Sequence, residues 1–76
     1  MTAVDLVIKR RRLMKEYPGR FQQNEAAKIA GLNAGTLVDI EREKLDGEAE
    51  VYDRIAEAWD RFVNENMTTN REEVMA

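Results

Sequence analysis

The stretch that decides the fold is Gln22–Lys44, with the sequence QQNEAAKIAGLNAGTLVDIEREK. It predicts two short helices joined by a tight turn. Gly31 suits a helix end because glycine readily adopts the left-handed conformation. Asn33 suits a helix start because its side-chain oxygen can accept a free backbone N–H. Leu37 and Ile40 then recur at the spacing of one helical face. Two short helices around a Gly-containing turn are the outline of a helix-turn-helix.

The same stretch resembles the Cro and lambda-repressor-like helix-turn-helix family. The positions that carry the resemblance are Gln23, Ala27, Gly31, Thr36, Leu37, Ile40 and Glu41. They agree in register over residues 22–44, and the likeness continues more loosely to about Trp59. The resemblance implies an all-α fold: a compact, four- to five-helix DNA-binding domain in which the second short helix is the recognition helix.

The remaining helices follow from apolar spacing. A first helix is predicted over about residues 2–16, ahead of the turn at Pro18. The central pair spans about residues 22–30 and 34–43, and a strongly amphipathic fourth helix spans about residues 48–66. Thr69 and Glu72 have capping-box spacing, which predicts a short C-terminal tail or helix over about residues 69–75. The whole chain, residues 1–76, is predicted to be one domain.

Composition excludes several function classes. The 76 residues include no Cys, no His and no Ser. The chain therefore lacks a thiolate, an imidazole and a serine nucleophile, and it is too small to enclose much of a pocket. We expect no enzymatic activity, no cofactor, no metal and no small-molecule substrate. No apolar run approaches a membrane span, so we expect a soluble cytoplasmic protein without a membrane partner.

The net charge of −3 hides a division along the chain. Residues 1–44 hold nine basic and six acidic residues, a balance of +3, whereas residues 45–76 hold three basic and nine acidic residues, a balance of −6. DNA binding needs a local positive surface rather than a positive total. The N-terminal half permits such a surface, and the acidic C-terminal half is predicted to face away from DNA.

Arg10 lies inside the apolar stripe of the first helix, between Leu6 and Leu13. In the resembling family an Arg at this place pairs with the Glu at the end of the recognition helix, which here is Glu41. A partly buried guanidinium needs a carboxylate, and its planar fork can give two bonds. Arg11 is the alternative partner, and a solvated basic face is the simplest interpretation of the whole KRRR run.

The resemblance also implies which residues meet DNA. We expect Leu37 and Ile40 to face inward and the other face of the recognition helix to be exposed. The predicted DNA-binding residues are Gln23, Asn33, Ala34, Gly35, Thr36, Val38, Asp39, Arg42 and Lys44. Base readout favours Arg, Lys, Asn or Gln, whereas the residues nearest the bases here are mostly small and apolar. More of the specificity would then come from DNA shape.

Two further features concern partners. The late part of the fourth helix, with Trp59, Phe62 and Val63, is predicted to form a dimer contact, because aromatic residues dominate such patches; closing the core is the alternative. The loop around Tyr17–Arg20 is longer than is usual in the family. It is either a surface insertion or a place where Lys15 and Arg20 reach a phosphate or a partner.

The sequence therefore predicts a small sequence-specific transcriptional regulator of the repressor or Cro type, of phage or mobile-element origin. It would bind operator sites in double-stranded DNA as a homodimer. The alternative is a protein-interaction module on the same fold, such as an antirepressor, an antitoxin or a phage adaptor. The weak recognition face, the negative total charge and the apolar stripe of the fourth helix favour that alternative.

Overall fold

Four α-helices make up the computed structural model, which describes residues 1–42 and 48–67, and no strand occurs in that part of the chain. The helices are α1 (Ala3–Glu16), α2 (Gln23–Ile29), α3 (Ala34–Glu41) and α4 (Ala49–Asn66). The all-helical prediction is confirmed, and the predicted helix ends lie within two residues of the observed ones. Lys44 and the predicted tail over 69–75 lie outside the described residues.

The start of α1 is closed by a reciprocal pair of hydrogen bonds. The Thr2 hydroxyl accepts from the Asp5 N–H, and the Asp5 carboxylate accepts from the Thr2 N–H, each at 3.1 Å. This capping box satisfies two backbone donors that a helix end leaves free. The helix ends at Tyr17, directly before Pro18, as expected from the restriction that proline places on the preceding residue.

The turn between α1 and α2 holds Phe21 in an unusual backbone conformation. Phe21 has a φ of +61°, a region that costs about 1–2 kcal/mol for a residue with a Cβ. Its N–H donates to Glu25 Oε1 at 2.7 Å, and its ring is fully buried. Arg20 holds the same carboxylate at 2.8 Å. The burial and these bonds together stabilise the strained residue at the entrance to α2.

The turn between α2 and α3 is a Schellman motif. Leu32 N–H donates to Ala27 O at 2.8 Å, and Gly31 N–H donates to Lys28 O at 3.1 Å. Gly31 has a φ of +75°, as this motif requires. Asn33 is the N-cap of α3, as predicted, but its side chain accepts no capping hydrogen bond, so that part of the prediction is wrong.

A single core joins the four helices. The largest fully buried side chains are Trp59, Phe21, Leu6 and Leu37. Trp59 Nε1 donates to Ala26 O at 2.8 Å, which ties α4 to α2 across the core. None of the described helices combines the length and the apolar character needed to span a bilayer. The core leaves the outer sides of α1 and α3 in contact with solvent.

Candidate functional site

The C-terminal end of α3 is held by Arg10 of α1. Arg10 Nε donates to Glu41 Oε2 at 2.5 Å and Nη2 donates to Glu41 Oε1 at 2.9 Å, so the pair is bidentate. Nη1 donates to Phe21 O at 3.2 Å and contacts the Met14 sulfur at 3.0 Å. Arg10 is 7% exposed. The predicted ion pair is present, and Arg10 rather than Arg11 forms it.

Gln23 completes a three-residue cluster with this pair. Its Nε2 donates to Glu41 Oε1 at 3.1 Å, which links the first turn of α2 to the last turn of α3. We call Arg10, Gln23 and Glu41 the buried clamp. Gln23 was predicted to contact DNA. The structure gives its amide donor an intramolecular role, and its contact with DNA stays a prediction.

The electrostatics of the buried clamp favour a charged carboxylate. Burial acts to raise the pKa of Glu41, but the hydrogen bonds from Arg10 and Gln23 and the charges of Arg10 and Arg11 outweigh it. The pKa of Glu41 therefore lies below its ordinary value. The contribution of Arg11 indicates that this exposed cation lies near the same end of α3.

The outer face of α3 consists of the residues predicted to meet DNA. Leu37 and Ile40 are buried, as predicted. None of the predicted DNA-binding residues between positions 33 and 42 is buried. Asn33, Gly35 and Arg42 are exposed, and those that are half-buried are Ala34, Thr36, Val38 and Asp39. The helix α3, whose Glu41 belongs to the buried clamp, thus presents small side chains, one carboxylate and one guanidinium to solvent.

Exposed cations that form no ion pair within the described part of the chain occur on α1 and directly after α3. Arg11, Arg12 and Lys15 of α1 and Arg42 after α3 are all exposed. None of these four residues forms an ion pair with another described residue. Of the three α1 cations, only Lys15 was predicted from the sequence as a candidate to reach a phosphate or a partner, and neither Arg11 nor Arg12 was assigned to a binding surface. The available signal was their spacing, which puts them outside the apolar stripe of the first helix.

The charges of the described residues are divided between the elements. Residues 1–42 hold eight basic and five acidic side chains, a balance of +3, and residues 48–67 hold two basic and six acidic side chains, a balance of −4. Arg20, a predicted candidate for reaching a phosphate, binds Glu25 instead and lies 5.6 Å from the Phe62 ring centroid. Lys9 binds Asp60 at 2.8 Å. The described cations that form no ion pair therefore lie on α1 (Arg11, Arg12 and Lys15), on α2 (Lys28), after α3 (Arg42) and on α4 (Arg61).

The predicted dimer contact needs a correction at Trp59. Its side chain is 0% exposed and its N–H is bonded to Ala26 O, so it has no surface to offer a second copy. Helical spacing placed it on the apolar stripe but could not distinguish the buried part from the exposed part. Phe62 and Val63 are half-buried against the core. The dimer contact rests on these two residues and stays a prediction.

This arrangement has the chemistry of a binding surface. No group of three or more potential metal ligands occurs among residues 1–42 and 48–67. In that same part of the chain every buried side-chain nitrogen and oxygen has a hydrogen-bond partner. An exposed helix face with unpaired cations beside it suits a polyanion more than a reacting small molecule.

The chain was compared with protein-family models, with curated proteins and with solved structures, and none of the three comparisons found a match.

Proposed function

We propose that this chain is a small DNA-binding transcriptional regulator in which α2 and α3 form a helix-turn-helix and α3 enters the major groove. The observation that carries the proposal is the exposed face of α3, which the buried clamp joins to α1 and α2 and which the exposed cation Arg42 directly follows. A recognition element must hold its geometry before it meets DNA, since any ordering on binding lowers affinity. The clamp supplies that rigidity.

Phosphate contacts would supply most of the affinity. Arg11, Arg12 and Lys15 of α1 and Arg42 after α3 are exposed cations without an ion pair among the described residues, and we expect them to neutralise phosphates. Binding by such contacts is salt-dependent, because each neutralised phosphate releases counterions. Four contacts correspond to a slope of about −3.6 in a plot of log affinity against log salt concentration.

Base readout from α3 would be limited in its chemistry. Ala34, Gly35 and Val38 are small, so the helix can approach the bases closely, and the Val38 methyls suit the methyl group of thymine. Asp39 can accept a hydrogen bond from a cytosine amino group. With few donors on this face, DNA shape and deformability would contribute a larger share of the specificity.

The experiment is a fluorescence-anisotropy titration of the full chain with a random-sequence DNA duplex, at low and at near-physiological salt. We expect saturable binding that weakens steeply as salt rises. Arg42→Glu should weaken binding, because it replaces an exposed cation beside α3 by an anion. Arg54→Glu is the matched control, since Arg54 is an exposed cation on the acidic helix α4 and pairs with Glu50.

The outcomes separate the two functions predicted from the sequence. Equal weakening by Arg42→Glu and Arg54→Glu would assign the binding to general charge rather than to the α3 face. Absence of saturable binding at low salt would overturn the proposal and favour a protein-interaction module. Sedimentation of the complex would count the copies on the duplex and test the predicted homodimer.

A further inference from the structure

A groove between α2 and α4 lies outside the proposed DNA-binding surface. It has a volume of about 410 Å³, and its lining residues are Lys28, Ile29, Ala58, Arg61, Phe62 and Glu65. All six come from α2 and α4, so α3 contributes no residue to it. Ile29, Ala58 and Phe62 form an apolar floor, and the three remaining residues put charges around it.

The floor of the groove is preformed. The Phe62 ring packs edge-on against the Phe21 ring, with centroids 6.0 Å apart, and the Arg20 guanidinium lies over it at 5.6 Å. Ile29 and Phe62 both pack against the core. Side chains that are already ordered lose little conformational entropy when a ligand covers them. The groove is therefore ready to bind an apolar surface.

The groove carries two cations, one on each wall. Lys28 of α2 and Arg61 of α4 are exposed, and neither forms an ion pair with another described residue. An apolar floor between two unpaired cations is complementary to a ligand with an apolar stripe and carboxylates on both sides. An amphipathic acidic helix has this pattern, and helix-in-groove binding is a common mode of recognition.

We propose that the α2–α4 groove binds an acidic amphipathic helix of a partner protein. A second copy of this chain fits less well, because a two-fold contact sets the same patch against itself and its two cations then have only one carboxylate of the lining, Glu65, to face. Duplex DNA also fits less well. Its closely spaced phosphates cannot avoid Glu65 and the other carboxylates of α4, whereas a peptide can place its few carboxylates beside the cations.

The test uses a dye-labelled peptide of about 15 residues, long enough to form a helix, with Leu on one face and Glu on the other. A matched peptide carries Lys in place of every Glu. The full chain is titrated against both peptides by fluorescence anisotropy. We expect saturable binding of the acidic peptide and much weaker binding of the basic one.

Charge reversal on the protein gives the decisive comparison. The double variant Lys28→Glu and Arg61→Glu should weaken binding of the acidic peptide about tenfold, as expected for the loss of two exposed ion pairs. It should also reverse the preference, so that the basic peptide binds better. Arg54→Glu, on the same helix but outside the groove, should change neither affinity. Far-UV circular dichroism verifies that each variant keeps its helices.

Three outcomes would overturn the inference: no saturable binding of the acidic peptide, equal binding of the two peptides, or an unchanged preference in the double variant. Sedimentation of the free chain tests the alternative that a second copy of this chain occupies the groove. If the chain self-associates and the double variant does not, the groove is assigned to a second copy. The inference does not depend on DNA binding. The double variant leaves Arg42 and the exposed face of α3 intact, so the peptide test and the DNA test can fail separately.

Discussion

Two of the three residues of the buried clamp, Arg10 and Glu41, are charged. Arg10 and Glu41 have side chains about 8% exposed, and both are removed from most of their hydrating water. The attraction between the two charges offsets the free-energy cost of their desolvation only when the geometry of the pair is good and further hydrogen bonds are made. Here the bidentate pair is supplemented by Gln23 and by the Phe21 carbonyl. We therefore expect the cluster to specify the position of α3 more than it adds net stability.

Replacing Glu41 by Gln should be strongly destabilising. The change keeps the shape of the side chain but leaves the Arg10 charge buried and uncompensated, which costs about 3 kcal/mol. A chain of this size has a total unfolding free energy of about 4–11 kcal/mol, so the loss is a large share of it. Urea denaturation followed by circular dichroism measures the change in the unfolding free energy.

The matched control for Glu41→Gln is Glu50→Gln. Glu50 also pairs with an arginine, Arg54, at 3.0 Å, but both side chains are largely exposed. Such a surface pair contributes at most about 0.5 kcal/mol. Equal losses from the two substitutions would show that the buried clamp is no stronger than a surface ion pair.

The stability of the chain should fall at acid pH through Glu41. Since the pKa of Glu41 is lower in the folded than in the unfolded chain, its stabilising effect is complete above the ordinary value of 4.5 and is lost as pH falls below it. The urea midpoint, measured from neutral pH down to about pH 3, should decline as the pH falls below the ordinary pKa value of 4.5. The decline should be shallower in Glu41→Gln, and parallel curves would contradict the assignment.

Single residues differed in how far the sequence could predict them. The Arg10–Glu41 pair could be predicted because a guanidinium within an apolar stripe needs a carboxylate, and the family resemblance implied that Glu41 supplies it. The left-handed backbone of Phe21 could not, since local propensity opposes it and long-range burial and the bond to Glu25 stabilise it. The Trp59 hydrogen bond joins residues 33 positions apart, and no local pattern encodes such a contact.

At the scale of elements, the turn between α2 and α3 determines how the two helices meet. Its conformation depends on Gly31, where an added Cβ would have no atom within 4 Å but where φ is +75°. The obstacle to a side chain here is therefore the backbone conformation and not a lack of space. The turn chemistry was readable from the sequence because Gly and Asn are the residue types that such turns favour.

Gly31→Ala and Gly35→Ala should change stability in opposite directions. At Gly31 the alanine would be forced into the left-handed region, which costs about 1–2 kcal/mol. Gly35 lies within α3, with no atom within 4 Å of an added Cβ, so alanine should stabilise the helix by about 0.5–1 kcal/mol. Thermal unfolding of the two variants measures both effects as changes in the midpoint temperature. If both midpoints moved in the same direction, the backbone conformation of Gly31 would not explain its effect.

The bounds of the helices were more predictable than their contacts. Apolar spacing and turn residues are local signals, and they located the ends of the four described helices within two residues. The capping box at Thr2 and Asp5 is also a local signal, and its spacing was present in the sequence. Which part of the apolar stripe of α4 is buried depends on α2, so Trp59 could not be separated from Phe62 by spacing alone.

At the scale of the whole molecule, one core is shared by all the described helices. Leu6 of α1, Ala26 of α2, Leu37 of α3 and Trp59 of α4 are each 0% exposed. Removing any helix would expose part of this cluster to water, which is unfavourable in proportion to the apolar area. No helix is therefore expected to unfold independently of the others.

This shared core predicts a single cooperative unfolding transition. Far-UV circular dichroism reports the helices and the methyl signals of a one-dimensional NMR spectrum report the core packing. The two should give the same midpoint temperature, as in two-state unfolding. A lower midpoint for the methyl signals would show that the core loosens before the helices melt, and would contradict the prediction.

The burial of Trp59 also provides an optical reporter. It is the only tryptophan in the 76 residues, and its indole is fully enclosed while its N–H is bonded to a carbonyl of α2. A shielded indole emits at shorter wavelength than one in water, so the emission maximum of the native chain should move to longer wavelength when α2 and α4 separate. The unfolding of every variant described above can thus be followed by tryptophan emission, without an added dye.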